Sequence, residues 1–217
     1  GTKLYLRTGE YEDGTLGEVK DGFLRSMLWG SLWDQVRDAQ VDPARFARLV
    51  LRELPREKDE QVLPALLGRL ERTVRAYLSP ESGAVLRTEA EGVLWNGALD
   101  ASRPYGIRRA HLDTFIAIAV TPDAVARMQT LLTADSAAGE PLRDPTRWNV
   151  VDRLLVLGTP EAEPALATQA ARDTTPDGRR RAFIAGAARP SATVKAEYFR
   201  RYFADAKLNE DWASGSL

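Results

Sequence analysis

Residues 63–78 read LPALLGRLERTVRAYL and run directly into Ser79-Pro80. Leu63, Leu66, Leu67, Leu70, Val74 and Leu78 recur at three- and four-residue steps, so one face of an α-helix gathers them all. Arg69, Glu71, Arg72 and Arg75 fall on the rest of its circumference. A strand would alternate every second residue, and this stretch does not. The Ser-Pro pair that closes it is itself a helix start. The serine oxygen can accept an orphan backbone N–H, and a proline in the first helical position lacks only a donor that would have gone unused.

The same pair, a capping residue followed by proline, occurs at Asp42-Pro43, Thr121-Pro122, Asp144-Pro145, Thr159-Pro160 and Thr175-Pro176. Helical periodicity fills the intervals: Leu24, Leu28, Leu32 and Val36 with Met27, Trp29 and Trp33; Ile107 through Val120; Val150 to Leu157; Phe183 and Ile184; Val194 to Phe203. The pattern predicts helices near 20–39, 43–53, 58–78, 80–99, 104–120, 122–134, 145–157, 160–172, 176–188 and 190–205, with a short one near 207–214. The prolines follow one another at 37, 42, 23, 15 and 16 residues, the lengths of helix pairs and of single helices with their turns. That spacing predicts an all-α fold, a solenoid-like stack of antiparallel helix pairs of the armadillo or HEAT kind. Only Lys3-Leu4-Tyr5-Leu6-Arg7 alternates as a strand would, and it reads as the remnant of a preceding β element. Thr8–Gly17 and Ala134–Pro141 read as flexible. The expected organisation is one helical domain over 1–217, with a ragged entry over 1–15 and the repeat over 16–214.

Totals narrow the function. Thirty basic and thirty-one acidic residues leave a net charge of −1, which removes the basic footprint of a nucleic-acid binder. No apolar run approaches the length of a membrane span, and no signal-peptide pattern opens the chain. Cysteine is absent, which excludes disulfides and thiolate sites within these residues and fits a reducing cytoplasm. With a single histidine, His111, no HExxH zinc helix can form. GxSxG, Walker and GxGxxG patterns are absent as well.

The remaining candidates have plain structural readings. His111 shares a helical face with Ile107 and Phe115 and reads as a satisfied core or boundary histidine rather than the base of a hydrolase. Arg179-Arg180-Arg181 reads as a solvated helix face. Asp34, Arg37 and Asp38 read as local ion pairs. Trp29 and Trp33, four residues apart, read as core packing, with an aromatic platform for a peptide or carbohydrate as the alternative.

Three stretches together carry a family resemblance. Leu28-Trp29-Gly30-Ser31-Leu32-Trp33-Asp34-Gln35-Val36-Arg37-Asp38 resembles the tryptophan-rich helix opening the helical C-terminal domain of aminopeptidase N-type, puromycin-sensitive-type zinc peptidases of bacteria. Leu142-Arg143-Asp144-Pro145-Thr146-Arg147-Trp148-Asn149 resembles that domain's Arg-Trp helix start. Asp173-Thr174-Thr175-Pro176-Asp177-Gly178-Arg179-Arg180-Arg181-Ala182, with Ala188-Arg189-Pro190 and Lys195, resembles its penultimate helix pair. The likeness runs from about Lys3 to Asp211.

The resemblance implies a non-catalytic domain that closes over a thermolysin-like zinc domain, restricts access to the chamber and docks on the catalytic part. Zinc, its HExxH ligands and the GxMEN motif would belong to the parent's other domains, so no catalytic or metal residue carries over. Peptide substrates and the catalytic domain would be its partners. Arg147, Trp148 and Arg37 are the implied peptide-channel contacts. Arg147 would either grip a peptide's C-terminal carboxylate with its planar fork or fix its own helix through Asp144 or Asp152. Trp29, Trp33, Leu67, Phe115 and Leu154 are the expected core. The alternative is an independent helical-repeat interaction module without a peptidase partner.

Overall fold

The structure, a computed structural model, describes residues 15–205 and 207–217. Residues 3–7, expected as the strand, and nearly all of the entry segment lie outside the described residues. Those described form twelve α-helices, one π-helical turn and one two-stranded hairpin. They gather into two compact units, one ending at Thr121 and the other beginning at Pro122.

The first unit holds α1 (Thr15–Glu18), α2 (Gly22–Arg37), α3 (Pro43–Glu53), α4 (Val62–Arg72), the π turn Thr73–Tyr77, α5 (Pro80–Leu99) and α6 (Tyr105–Ile118). Helix α2 packs on α4 and α4 on α6, while α3 packs on α5. Alternate helices thus form two rows, the arrangement of stacked helix pairs. Starts are fixed by side chains: Asp21 accepts from Leu24 N at 2.9 Å and Asp42 from Ala44 N at 3.0 Å. The apolar stripe of α4 is buried from Leu63 to Leu70, together with Trp29, Leu32, Phe46, Leu94 and Phe115. Burying each such side chain contributes about 1.5–3 kcal/mol.

The expected helix over 58–78 changes character at Thr73, whose buried hydroxyl donates to Arg69 O at 2.7 Å at the start of the π turn. His111 is 1% exposed, and its Nδ1 lies 2.8 Å from Ile107 O, so that nitrogen carries the proton and donates. Burial lowers its pKa and keeps the ring neutral. Gly97 gives the ring its room, since a Cβ there would overlap the imidazole. Glu91, also buried, accepts from Val120 N at 2.7 Å, from Thr121 N at 3.1 Å and from the Thr121 hydroxyl.

The second unit holds α7 (Pro122–Ala134), β1 (Ser136–Ala137), β2 (Glu140–Pro141), α8 (Asp144–Leu157), α9 (Ala162–Arg172), α10 (Pro176–Ala187), α11 (Ala192–Ala204) and α12 (Glu210–Ser216). Helix α8 packs on α7, α9 and α10, and α10 also on α11 and α12. Three expectations change. The stretch 134–141, expected as flexible, is a hairpin, turned by positive φ at Asp135, Ala138 and Gly139. Thr159-Pro160 does not begin α9; the chain makes a turn there and the helix starts at Ala162. Residues 15–18, within or beside the other flexible stretch, form α1. No helix among the described residues is long and apolar enough to cross a membrane.

Candidate functional site

The beginning of α8 collects the polar groups that the sequence singled out. Asp144 is its first helical residue rather than its cap, and no side chain caps the start. The Asp144 carboxylate turns instead to guanidinium groups, lying 3.6 Å from Arg147 Nη1 and 4.0 Å from Arg172 Nε. One turn into the helix, Arg147 has a side chain only 5% exposed. It donates to the Leu142 carbonyl and pairs with Asp135, which the hairpin carries back beside it. Arg172, near the end of α9, reaches the other Asp135 oxygen at 3.1 Å. Burial first, and the adjacent Arg172 charge second, lower the Arg147 pKa. Asp152, the other partner considered, has its pKa raised by burial.

Trp148 leads to a second cluster. Its indole N–H donates to Asp173 Oδ2 at 2.9 Å, and Asp173 Oδ1 accepts from the Thr175 hydroxyl at 2.6 Å and Thr175 N at 3.3 Å. The Thr175 oxygen then accepts from Gly178 N at 3.0 Å, capping α10. A side chain at 178 would collide with the backbone oxygen and carboxyl of Asp173, which is why glycine stands there. The segment Asp173–Gly178 therefore caps α10 and ties that cap to Trp148. Arg37 closes α2 in the other unit, 59% exposed and 3.4 Å from Asp34, a surface pair worth little.

The expected core residues Trp29, Leu67, Phe115 and Leu154 are all at most 2% exposed, and Trp33 is half-buried between Phe46 and Tyr77. Of the arginine run, Arg179 donates to Thr174 O, Arg180 pairs with Asp211, and Arg181 with Asp177.

The hydrogen bonds from Thr175 and then Trp148 hold the Asp173 pKa below the ordinary carboxylate value, which is about 3.9. The folded state therefore favours the ionised form. That stabilisation is complete above about pH 4 and is lost as pH falls through the depressed folded value. Asp173→Asn is expected to lower the thermal midpoint at pH 7, with a deficit that shrinks towards pH 3. Melting curves at pH 7, 4 and 3 check it, and a deficit constant with pH would refute the assignment.

No group of three or more His, Cys, Asp or Glu side chains among the described residues is placed to hold a metal ion. Fold and site together define a helical-stack domain. The family described as ERAP1-like C-terminal domain matches residues 18–214, and the chain belongs to that family. It is also similar to Aminopeptidase N of Streptomyces lividans, 29% identical over 196 residues, or 89% of this chain and 22% of that protein. The chain thus spans about a fifth of its relative's length.

Sequence reasoning missed the cavity between α7, α8 and α9, about 500 Å³, lined among others by Leu154, Gln169 and Arg172. Its residues come from three helices and share no spacing that could have marked them.

Proposed function

We propose that this chain is the non-catalytic C-terminal domain of a cytoplasmic, zinc-dependent aminopeptidase that releases N-terminal residues from peptides. It caps the active-site chamber, restricts which substrates enter and docks on the catalytic domain. The observation that carries the reading is membership of the ERAP1-like C-terminal domain family over 18–214, joined to similarity with one fifth of an Aminopeptidase N. The absence of cysteine from these residues supports the compartment.

Physically, stacked helix pairs offer an extended surface without any single residue reacting. Enclosing a site selects by size and keeps competing chains out. Arg147 serves in this reading to fix α8, supported by its Asp135, Asp144 and Leu142 partners. Trp148 serves beside it through Asp173. Arg37, exposed at the end of α2, is the contact left available to a peptide.

The test compares the natural full-length protein with a version lacking 18–214. Deletion is expected to leave zinc bound, while the preference for peptides over folded proteins with accessible N-termini collapses. Zinc content shows that the catalytic part survives. Unchanged selectivity would sink the capping role and favour an independent interaction module.

A further inference from the structure

Several arginines withdrawn from solvent in this fold have a carboxylate beside them. Arg25 pairs with Glu57 at 2.7 Å, Arg103 with Asp100 at 3.2 Å and Arg147 with Asp135. Arg69 of α4 does not follow them. It is half-buried, yet it makes no hydrogen bond or ion pair among the described residues. Asp34 is engaged by Arg37 at 3.4 Å instead. Burial lowers the Arg69 pKa, and the Asp34 charge offsets only part of that. A charge taken out of water without a partner is costly, and the fold leaves that cost standing at Arg69.

The donors of Arg69 are within reach of a ligand. Every nitrogen of its guanidinium keeps contact with solvent. Its Nη2 reaches a notch on α2, lying 3.6 Å from where a Cβ on Gly30 would stand. Nothing else outside that stretch of α2 comes within 4 Å of the same point, so the notch is open. Arg72, one turn along α4, is exposed and has no carboxylate partner among the described residues, which adds positive charge on this side. Arg75 beyond it is paired with Glu71 at 2.8 Å.

The same line of α2 carries an apolar surface. Phe23, Met27 and Gly30 follow one another at four and three residues, and so share one edge of the helix, about 10 Å from end to end. Phe23 is 77% and Met27 48% exposed. Exposed apolar groups in line with an unpaired guanidinium call for a partner that is apolar and acidic at once. An extended chain places side chains i and i+2 on one face about 7 Å apart, which fits an acid in the notch and an apolar group against Met27 and Phe23.

We propose that the groove between α2 and α4 binds an extended peptide segment carrying an acidic side chain two residues from an apolar one. The carboxylate sits in the Gly30 notch and accepts from Arg69, and the apolar side chain covers Met27 and Phe23. The inference does not rest on the function proposed above, since a peptidase domain and an independent interaction module could each present such a groove.

The test titrates the isotope-labelled 217-residue chain with the capped peptide acetyl-Leu-Ser-Glu-Ser-amide, following the Arg69 Nε–H signal. That signal is expected to shift saturably. Replacing Glu by Gln in the probe should weaken binding at least tenfold, the worth of one hydrogen-bonded charged contact, and replacing Leu by Ser should weaken it measurably. Two further probes separate the sources of the anion: inorganic phosphate, and the Gln peptide with a free C-terminus. Both should bind more weakly than the Glu peptide. Arg69→Gln should weaken the Glu peptide at least tenfold while melting no lower than the parent, because an unpaired half-buried charge has gone. Gly30→Leu keeps the guanidinium, fills the notch and improves the helix propensity of α2; backbone amide shifts on α2 and α4 should then show no saturable binding.

Equal binding of the Glu and Gln peptides, undiminished binding in either folded variant, or no saturable shift with any probe would overturn the proposal. So would tighter binding of phosphate or of the free C-terminus, which would make the notch a site for a small anion or a chain end. No peptidase assay enters the test, so its failure would leave the aminopeptidase reading standing, and a parent without peptidase activity would leave a positive titration standing.

Discussion

Trp29→Ala is expected to destabilise the first unit by about 3–5 kcal/mol, the cost of truncating a large aromatic side chain in a close-packed core. Trp29 is 1% exposed and meets Phe46 edge-on, with ring centroids 6.2 Å apart. Phe46 is itself buried. The loss therefore opens a void lined by groups held in place by their own helices, and a void that cannot collapse is the costly kind. Against the roughly 5–15 kcal/mol available to a domain, the midpoint should fall by on the order of 10 °C. Calorimetry checks it, and a fall within the scatter of surface substitutions would refute it. Trp33→Ala should cost less, because its ring, 5.6 Å from both Phe46 and Tyr77, is already partly exposed. Should Trp33→Ala leave stability unchanged yet abolish peptide binding, the ring is a platform and not part of the core.

Apart from α1 and the start of α9, the helices were legible because each carries its own signal. The stripe from Leu63 to Leu70 and the cap-and-proline starts at Asp42 and Thr175 act within one turn of chain, and they appear as helices α4, α3 and α10. What escaped depends on distance in sequence or on unusual backbone. The π turn at Thr73–Tyr77 keeps Val74 buried, so the apolar rhythm passes through it almost undisturbed. The hairpin needs positive φ at Asp135 and Ala138 as well as at Gly139, and an alanine there gives no warning. The Asp144-Pro145 pair announced α8 correctly but suggested the wrong work for the aspartate. It pairs with Arg147 at 3.6 Å, three residues on, and with Arg172 at 4.0 Å, 28 residues on by number. Gln169 sits among alanines in α9 with no periodic mark, and its unmatched amide could be seen only once three helices had met around it.

Arg147→Ala should produce the second large effect. The arginine is buried, whereas its acidic partners are not: the Asp135 and Asp144 side chains are 42% and 56% exposed. Removing one member of a buried ion pair typically costs about 3–5 kcal/mol because the other is left charged and dry. Here water reaches the Asp144 carboxylate and part of Asp135, whose Oδ1 facing Arg147 is itself buried, and Arg172 already holds the other Asp135 oxygen at 3.1 Å. The low end, about 3 kcal/mol, is therefore expected. It is made up of the unmatched Leu142 carbonyl, the two facing carboxylates and the lost packing of the arginine stem. Combining Arg147→Ala with Asp135→Asn should cost less than the sum of the single changes, because the two residues share one interaction. Additive losses would contradict the pairing. On the function proposed above, the same substitution in the full-length protein separates the two readings of this residue. If Arg147 only fixes α8, the melting temperature falls and short aminoacyl anilides and long peptides lose activity equally. If it grips the C-terminal carboxylate of a peptide, long peptides weaken by roughly ten- to a hundredfold, the worth of one charged hydrogen-bonded contact, while anilide turnover and melting temperature barely move. Three partners around a 5% exposed side chain favour the first outcome. A carboxylate ligand would have to displace Asp135 from a guanidinium that the hairpin has already brought into register.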